Sequence, residues 1–304
     1  MYSGCITDIA GVSAGHYTDK ANKTGCTVVL IDGDGGVCGV DVRGSAPGTR
    51  ETDLCRPTNA VQSAHAFLLS GGSAYGLSAA DGVMRWIEKR GRGFDTGYAR
   101  VPIVPAAVLY DLGIGDPNVR PSADSGFAAC ENASSSALKQ GLCGAGTGAT
   151  VGKAAGMKMA SDGGLGTASL TVGDGVVVAA CFAVNALGDI YDHTTGKRVA
   201  GMAGMSTYDA MTNVVAQDMS GKNTTIGVIG TNAALTKEQA NKLAAMGQDG
   251  VAMCVRPAHT MFDGDTVFAF GTGSKPCNIN AVLSAGAEVA ARAILNAVTQ
   301  GETL

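Results

Sequence analysis

The residues best placed for chemistry lie at 223–225, where Asn223-Thr224-Thr225 sets a hydroxyl beside a hydrolysable peptide bond. Attack of the Thr224 hydroxyl on the Asn223 carbonyl is an N→O acyl shift, and water can open the resulting ester. The product carries Thr224 as a new N-terminus. Its α-amine titrates near ~7.7–8.0, where an amine can serve as base for its own hydroxyl. Read plainly, the same tripeptide is a polar loop entering a strand. Chemistry alone does not favour this Xaa-Thr bond over others.

A second group sits downstream. Asp263-Gly264-Asp265 has the composition of a turn before a strand. On an extended backbone, however, carboxylates two residues apart face the same way. Such a pair can orient an ammonium or set its proton affinity. Upstream, the glycine-rich run 144–153 (GAGTGATVGK) ends on Lys153. It fails as a phosphate-binding loop, because Thr147 stands where that loop needs glycine and Ala154 where it needs Ser or Thr. It also lacks the third glycine of a dinucleotide site. What remains is a structural turn, or one that delivers Lys153 to a pocket. The four histidines (16, 65, 193, 259) are isolated and lack metal-ligand spacing, with His259 expected in a loop after Pro257. No serine lies in a G-x-S-x-G elbow.

Composition narrows the class. Glycine supplies 45 of 304 residues, about twice the ordinary share, which suits a strand-rich fold with closely packed backbones. The net charge of −4 is spread along the chain, so no nucleic-acid footprint is expected and the substrate is expected to be small. The nine cysteines form no CxxC pair and several lie in apolar runs. They read as reduced core thiols of a soluble, cytoplasmic protein. The N-terminus has no signal-peptide pattern, and the longest uninterrupted apolar run, 176–184, is too short to span a membrane.

The elements that must position these residues follow from pattern. Two β-rich runs within 26–43 flank a hairpin-like turn at 32–36, and 60–69 reads as a helix. A second helix covers 77–89, with Leu77, Val83 and Trp86 as core contacts, and a third covers 125–139. Residues 163–187 read as two strands joined at 173–175, the second buried on both faces. The stretch 211–222 is polar and turn-like, and 225–230 is a short strand. A capping box at 236–239 opens a helix ending near Gly247, 267–270 is a strand, and Asn280 caps a final helix to about Val298. Strict βαβ alternation is absent, so a layered α+β sandwich is expected rather than a doubly wound or barrel fold.

Several long segments occur in one order: 43–53 (RGSAPGTRETD), 71–77 (GGSAYGL), 144–153, 163–169 (GGLGTAS), Asn185 and 223–229 (NTTIGVI). That order resembles the DmpA-like family of L-aminopeptidase/D-esterases, β-peptidyl aminopeptidases and nylon-oligomer hydrolases, over nearly the whole chain. The resemblance implies a four-layer αββα sandwich with residues 1–304 as one catalytic domain. It also implies self-cleavage between Asn223 and Thr224 into fragments 1–223 and 224–304. By likeness to the nylon-oligomer branch, Thr224 is the nucleophile and Asp263 and Asp265 hold its amine and hydroxyl. Lys153 matches that branch's lysine, which would polarise the nucleophile or the carbonyl, and Asn185 matches its asparagine, assigned here to the oxyanion. The aminopeptidase branch instead has serine at the cleavage point and a Ser/Glu arrangement in place of the two Asp. No metal or organic cofactor is required, and a homo-oligomer, a tetramer by family habit, is expected. Two other readings stand beside this one. One is acyl transfer like that of the self-cleaving ornithine acetyltransferases. The other is an unprocessed binding or scaffold relative. The roles of 43–53 and 71–77 stay open.

Overall fold

A computed structural model describes residues 1–213 and 222–299. Its strands in chain order are β1 (Val12–Asp19), β2 (Thr24–Ile31), β3 (Gly36–Val42), β4 (Gly48–Arg50), β5 (Ser63–Ala64), β6 (Ala66–Ser70), β7 (Ala106–Val108), β8 (Gly164–Val172), β9 (Val176–Asn185), β10 (Thr224–Ala233) and β11 (Thr266–Lys275), beside shorter pairings. The helices are α1 (Ala79–Glu88), α2 (Ala123–Glu131), α3 (Thr207–Asn213), α4 (Lys237–Cys254) and α5 (Ile279–Thr299).

Two sheets stack face to face. One has the order β1-β2-β6-β7-β4, and the other β8-β9-β10-β11-β3-β5. The period of two along each strand divides its side chains between two cores. In β9, Ala179, Cys181 and Ala183 face the other sheet and pack with Phe67 and Leu69 of β6 and Phe268 and Phe270 of β11. The alternate residues Val178, Ala180, Phe182 and Val184 pack on α4 and α5. On the opposite side, Val28, Leu30 and Leu68 pack on α1 and α2. The layers therefore run helix, sheet, sheet, helix, which is the expected αββα sandwich.

Several local expectations change. The turn at 32–36 is not a hairpin: β2 pairs with β1 and β6 in one sheet, and β3 pairs with β11 in the other, so the turn carries the chain between sheets. The region expected as a helix over 60–69 instead carries β5 and β6. All five residues of β6 are buried, so no alternation betrays the strand. The helix expected over 125–139 is only α2. The helix opened by Thr236 does have its reciprocal capping box, but continues past Gly247 to Cys254. Gly247 is no C-cap; a Cβ there would lie 2.4 Å from Ile229 Cδ1, so the glycine lets the helix sit on the sheet. β10 and β11 are longer than expected. At α5 the Asn278 side chain, not that of Asn280, accepts the Asn280 N–H. Within the turn-like stretch 211–222, residues 211–213 close α3, whereas 214–221 lie outside the described residues. Helix α5 is long and apolar enough to cross a bilayer, yet its apolar stripe is packed in the sandwich.

Candidate active site

The two central strands of the second sheet end together. Thr224 opens β10 and pairs with Asn185, the last residue of antiparallel β9. On the other side β10 runs parallel to β11, with Ile226 opposite Thr266, so the 263–265 segment lies alongside 223–225. An isolated parallel bridge joins Asn223 to Asp263. Sheet topology thus gathers residues 40 positions apart around one peptide bond.

That bond is buried. Thr224 is 4% exposed, and Asn223, Thr225 and Asn185 are closed to solvent. The Thr224 hydroxyl donates to the Asn223 carbonyl oxygen at 2.5 Å, and the Gly264 N–H donates to the same oxygen at 2.9 Å. Gly264 is required by space: a Cβ would sit 2.7 Å from the Ala46 carbonyl oxygen and 2.9 Å from Thr224 Oγ1.

Lys153 reaches the site from the glycine-rich turn. Its backbone N–H bonds to Leu187 O, and that of Gly152 to Gly188 O, pinning the turn beyond β9. Lys153 is 1% exposed, and its ammonium donates to Asn185 O, Asn185 Oδ1 and Lys222 O at 2.9, 2.8 and 3.3 Å. Burial pushes this lysine down to about 7, with the Asp263 charge working against the fall. Asn185 accepts from Lys153 and from the Thr150 N–H through Oδ1, and donates through Nδ2 to Tyr110 O and Lys222 O.

The two aspartates are buried side by side but serve different partners. Asp263 Oδ2 accepts from the backbone N–H and the hydroxyl of Thr260 at 2.8 and 2.5 Å. Its carboxyl is pushed up to about 6, first by burial and then by the neighbouring Asp265 charge. Asp265 Oδ1 accepts the Thr225 N–H at 2.6 Å, and Oδ2 accepts from His259 Nδ1 at 2.8 Å and His259 N at 3.2 Å. Burial works to lower His259, but the bond to Asp265 and its charge outweigh that and raise it.

All five residues singled out in the sequence, Thr224, Asp263, Asp265, Lys153 and Asn185, therefore meet at one locus. In the intact chain the Thr224 hydroxyl faces its own upstream carbonyl, while the Asp265 carboxylate faces Thr225 and His259. Sequence reasoning passed over Gly264, Thr260 and His259. The only signal for the first was its place between the two aspartates, and an isolated histidine carried none. The open loop 43–53 also finds a place here: the N–H groups of Arg43 and Gly44 bond to Asp265 O and that of Ala46 to Asp263 O, fixing the aspartate segment. Segment 71–77 is anchored by Gly72 N to Asp111 Oδ1 and Ser73 N to Leu109 O, beside the Tyr110 carbonyl that holds Asn185.

Comparison with known proteins identifies the family. The family model for peptidase family S58 matches residues 4–304. An uncharacterized aminopeptidase of Mycobacterium leprae is 42% identical, covering 88% of this chain and 78% of its own. A 6-aminohexanoate-oligomer endohydrolase of Agromyces sp. is 32% identical, covering 87% and 74%. Among solved structures, a Burkholderia sp. β-aminopeptidase superposes with a TM-score of 0.72 at 22% identity, over 96% of this chain and 85% of that one. The L-aminopeptidase D-Ala-esterase/amidase of Ochrobactrum anthropi, described as a variant of the Ntn-hydrolase fold, does so with the same TM-score and coverage at 21% identity. A buried threonine beside paired carboxylates, on this sandwich and under a family match of this length, places the chain in peptidase family S58, among hydrolases of the aminopeptidase and amidase type.

Proposed function

We propose that this protein cleaves itself between Asn223 and Thr224 and then hydrolyses small peptides or amino-acid amides through Thr224 as an N-terminal nucleophile. The observation that carries the reading is the pair of donors, Thr224 Oγ1 and Gly264 N–H, on the Asn223 carbonyl oxygen. In the self-cleavage, Thr224 Oγ bonds to the Asn223 carbonyl carbon and charge develops on that carbonyl oxygen, where Gly264 N–H already points. The C–N bond breaks, the hydroxyl proton ends on the departing nitrogen, and an ester joins residue 223 to Thr224 Oγ. Water opens the ester, which frees the Asn223 carboxylate and restores the Thr224 hydroxyl beside the α-amine released in the shift.

Loss of the upstream segment changes its neighbours. Lys153 and Asn185 each lose an acceptor, the Lys222 carbonyl, and their donors then face the vacated space. Asn185 Nδ2 is positioned to donate to a substrate oxyanion, and Lys153 to polarise the reacting carbonyl or the nucleophile. Turnover has two steps. The α-amine takes the Thr224 hydroxyl proton as Oγ attacks the substrate carbonyl, and the amine product leaves with that proton. The same amine then activates the water that releases the acid. Asp263, next to Asn223 through the strand bridge, balances the ammonium. The relatives named for 6-aminohexanoate oligomers and the aminopeptidase-named relatives make amides of unbranched amino acids and α-peptides the substrates to try first.

Intact-mass measurement of freshly purified protein tests the first step. The 30.4 kDa chain divided 223:81 gives fragments of about 22 and 8 kDa, the smaller beginning at Thr224. A lasting single species in wild type, indistinguishable from Thr224→Ala, would overturn the proposal.

A further inference from the structure

His259 bears on the reacting group through its hydrogen bonds to Asp265. Its Nδ1 lies 2.8 Å from Asp265 Oδ2, and its Nε2 lies 3.4 Å from the Gln248 carbonyl oxygen on α4. A carbonyl oxygen only accepts, and so does an ionised carboxylate. Both ring nitrogens therefore need a proton, which makes the ring an imidazolium paired with a carboxylate that is 1% exposed. The backbone agrees with a constrained role. His259 has φ +57°, in the left-handed region that side chains rarely adopt, and its own N–H adds a second bond to Asp265 Oδ2. The other oxygen of that carboxylate holds the N–H of Thr225, the residue next to the nucleophile.

We infer that His259 is a positioning residue of the reaction: as an imidazolium it neutralises Asp265 and fixes it on the Thr225 backbone, leaving Asp263 as the carboxylate that answers the Thr224 amine. The charges around the ring are few. Asp265 faces it directly, with Asp263 behind. Arg43 approaches from the end of β3, but is itself paired with Asp41 and, on α4, with Asp249. Lys153 stands beyond Asp263 and interacts with it. Replacing the imidazolium by a neutral group removes the counter-charge beside Asp265, so the Asp265 charge bears more fully on Asp263 and the Asp263 carboxyl binds its proton at higher pH.

The inference rests on the proposed reacting centre, so its test has an arm that does not. In uncleaved Thr224→Ala protein, ring nitrogen NMR of His259, assigned by loss in His259→Asn, should show both nitrogens protonated at pH 7. One bare nitrogen at that pH would overturn the inference whatever Thr224 does. In the active protein, His259→Asn keeps a donor toward Asp265 and tolerates the left-handed backbone while removing the charge. Its acid limb, for self-cleavage and for hydrolysis, should move up by about one pH unit, with the alkaline plateau within about threefold of wild type. His259→Ala, lacking the donor as well, should lose the plateau too. An unmoved acid limb in His259→Asn would reduce the histidine to a structural part and contradict the inference. Absence of cleavage in wild type would contradict the reading of Thr224 and leave the NMR arm to decide the histidine.

Discussion

At the level of single residues, the site rests on groups held where water would not leave them. Asp263 illustrates the cost. Its carboxyl is pushed up to about 6, above both its ordinary value and that of an unfolded chain. A raised pKa means that the folded form binds its proton more tightly than the unfolded one. Its contribution is therefore fully present below about pH 4 and is lost as pH rises through about 6. Compared in a Thr224→Ala background to keep one chain, Asp263→Asn should gain on its parent by on the order of 1–3 kcal/mol between those pH values, in denaturant unfolding at each pH. Hydrolysis should fall by roughly 100-fold or more in the same substitution made on an active chain. Gly264 gives a second prediction. A methyl group there meets the Ala46 carbonyl and the Thr224 hydroxyl, so Gly264→Ala should slow self-cleavage by at least about tenfold, followed by gel band ratios with time. Much of this residue scale was legible, because Thr224, Asp263, Asp265, Lys153 and Asn185 are chemically expressive and sit in long specific segments. His259, Thr260 and the N–H of Gly264 were not. Their roles arise from a left-handed turn and a strand bridge, which a pattern of residue types does not encode.

At the level of elements, local chemistry was readable where it was self-contained. The capping box of Thr236 and Gln239 formed as its spacing required, and Thr236→Ala should cost about 1 kcal/mol in chemical unfolding without changing the rate of self-cleavage. The paired strands β8 and β9 likewise followed from the turn at 173–175 and the continuous apolar run after it. Legibility failed where two partners compete for one stretch of chain. A strand buried on both faces, such as β6, has no period to distinguish it from a short helix. The turn at 32–36 has hairpin residues, but nothing local says that its two strands join different sheets. Gly247 looked like a helix stop because the side chains it clears, Ile229 and Val267, are distant in sequence. Gly39 makes the same point more strongly. A Cβ on this β3 residue would lie 2.3 Å from backbone atoms of Ala240 and Asn241 on α4. Gly39→Ala should therefore part the helix from the sheet, lowering the unfolding free energy by several kcal/mol, ~3 or more, or preventing recovery of folded protein.

Over the whole molecule, the sandwich sets the Asn223–Thr224 bond apart from other Xaa-Thr pairs, which is why the proposed chemistry is placed there. Two sheets close a dry core, and the central strands of one sheet end where a glycine-rich turn, a lysine and an aspartate segment converge. The loop 43–53 clamps that aspartate segment through the backbone N–H groups of Arg43, Gly44 and Ala46. Burial pushes Lys153 down to about 7 and Asp263 up to about 6, while the strand ends aim fixed donors at the Asn223 carbonyl. Thr224 is the proposed nucleophile of both self-cleavage and turnover. The most direct test is to trap the acyl-enzyme: processed protein is incubated with a slowly released ester or a β-lactone, digested, and mapped by mass spectrometry. The expected result is a single adduct on Thr224, at the N-terminus of the smaller fragment, with loss of activity in proportion to labelling. Full labelling at another residue, or activity surviving in Thr224→Ala, would contradict it.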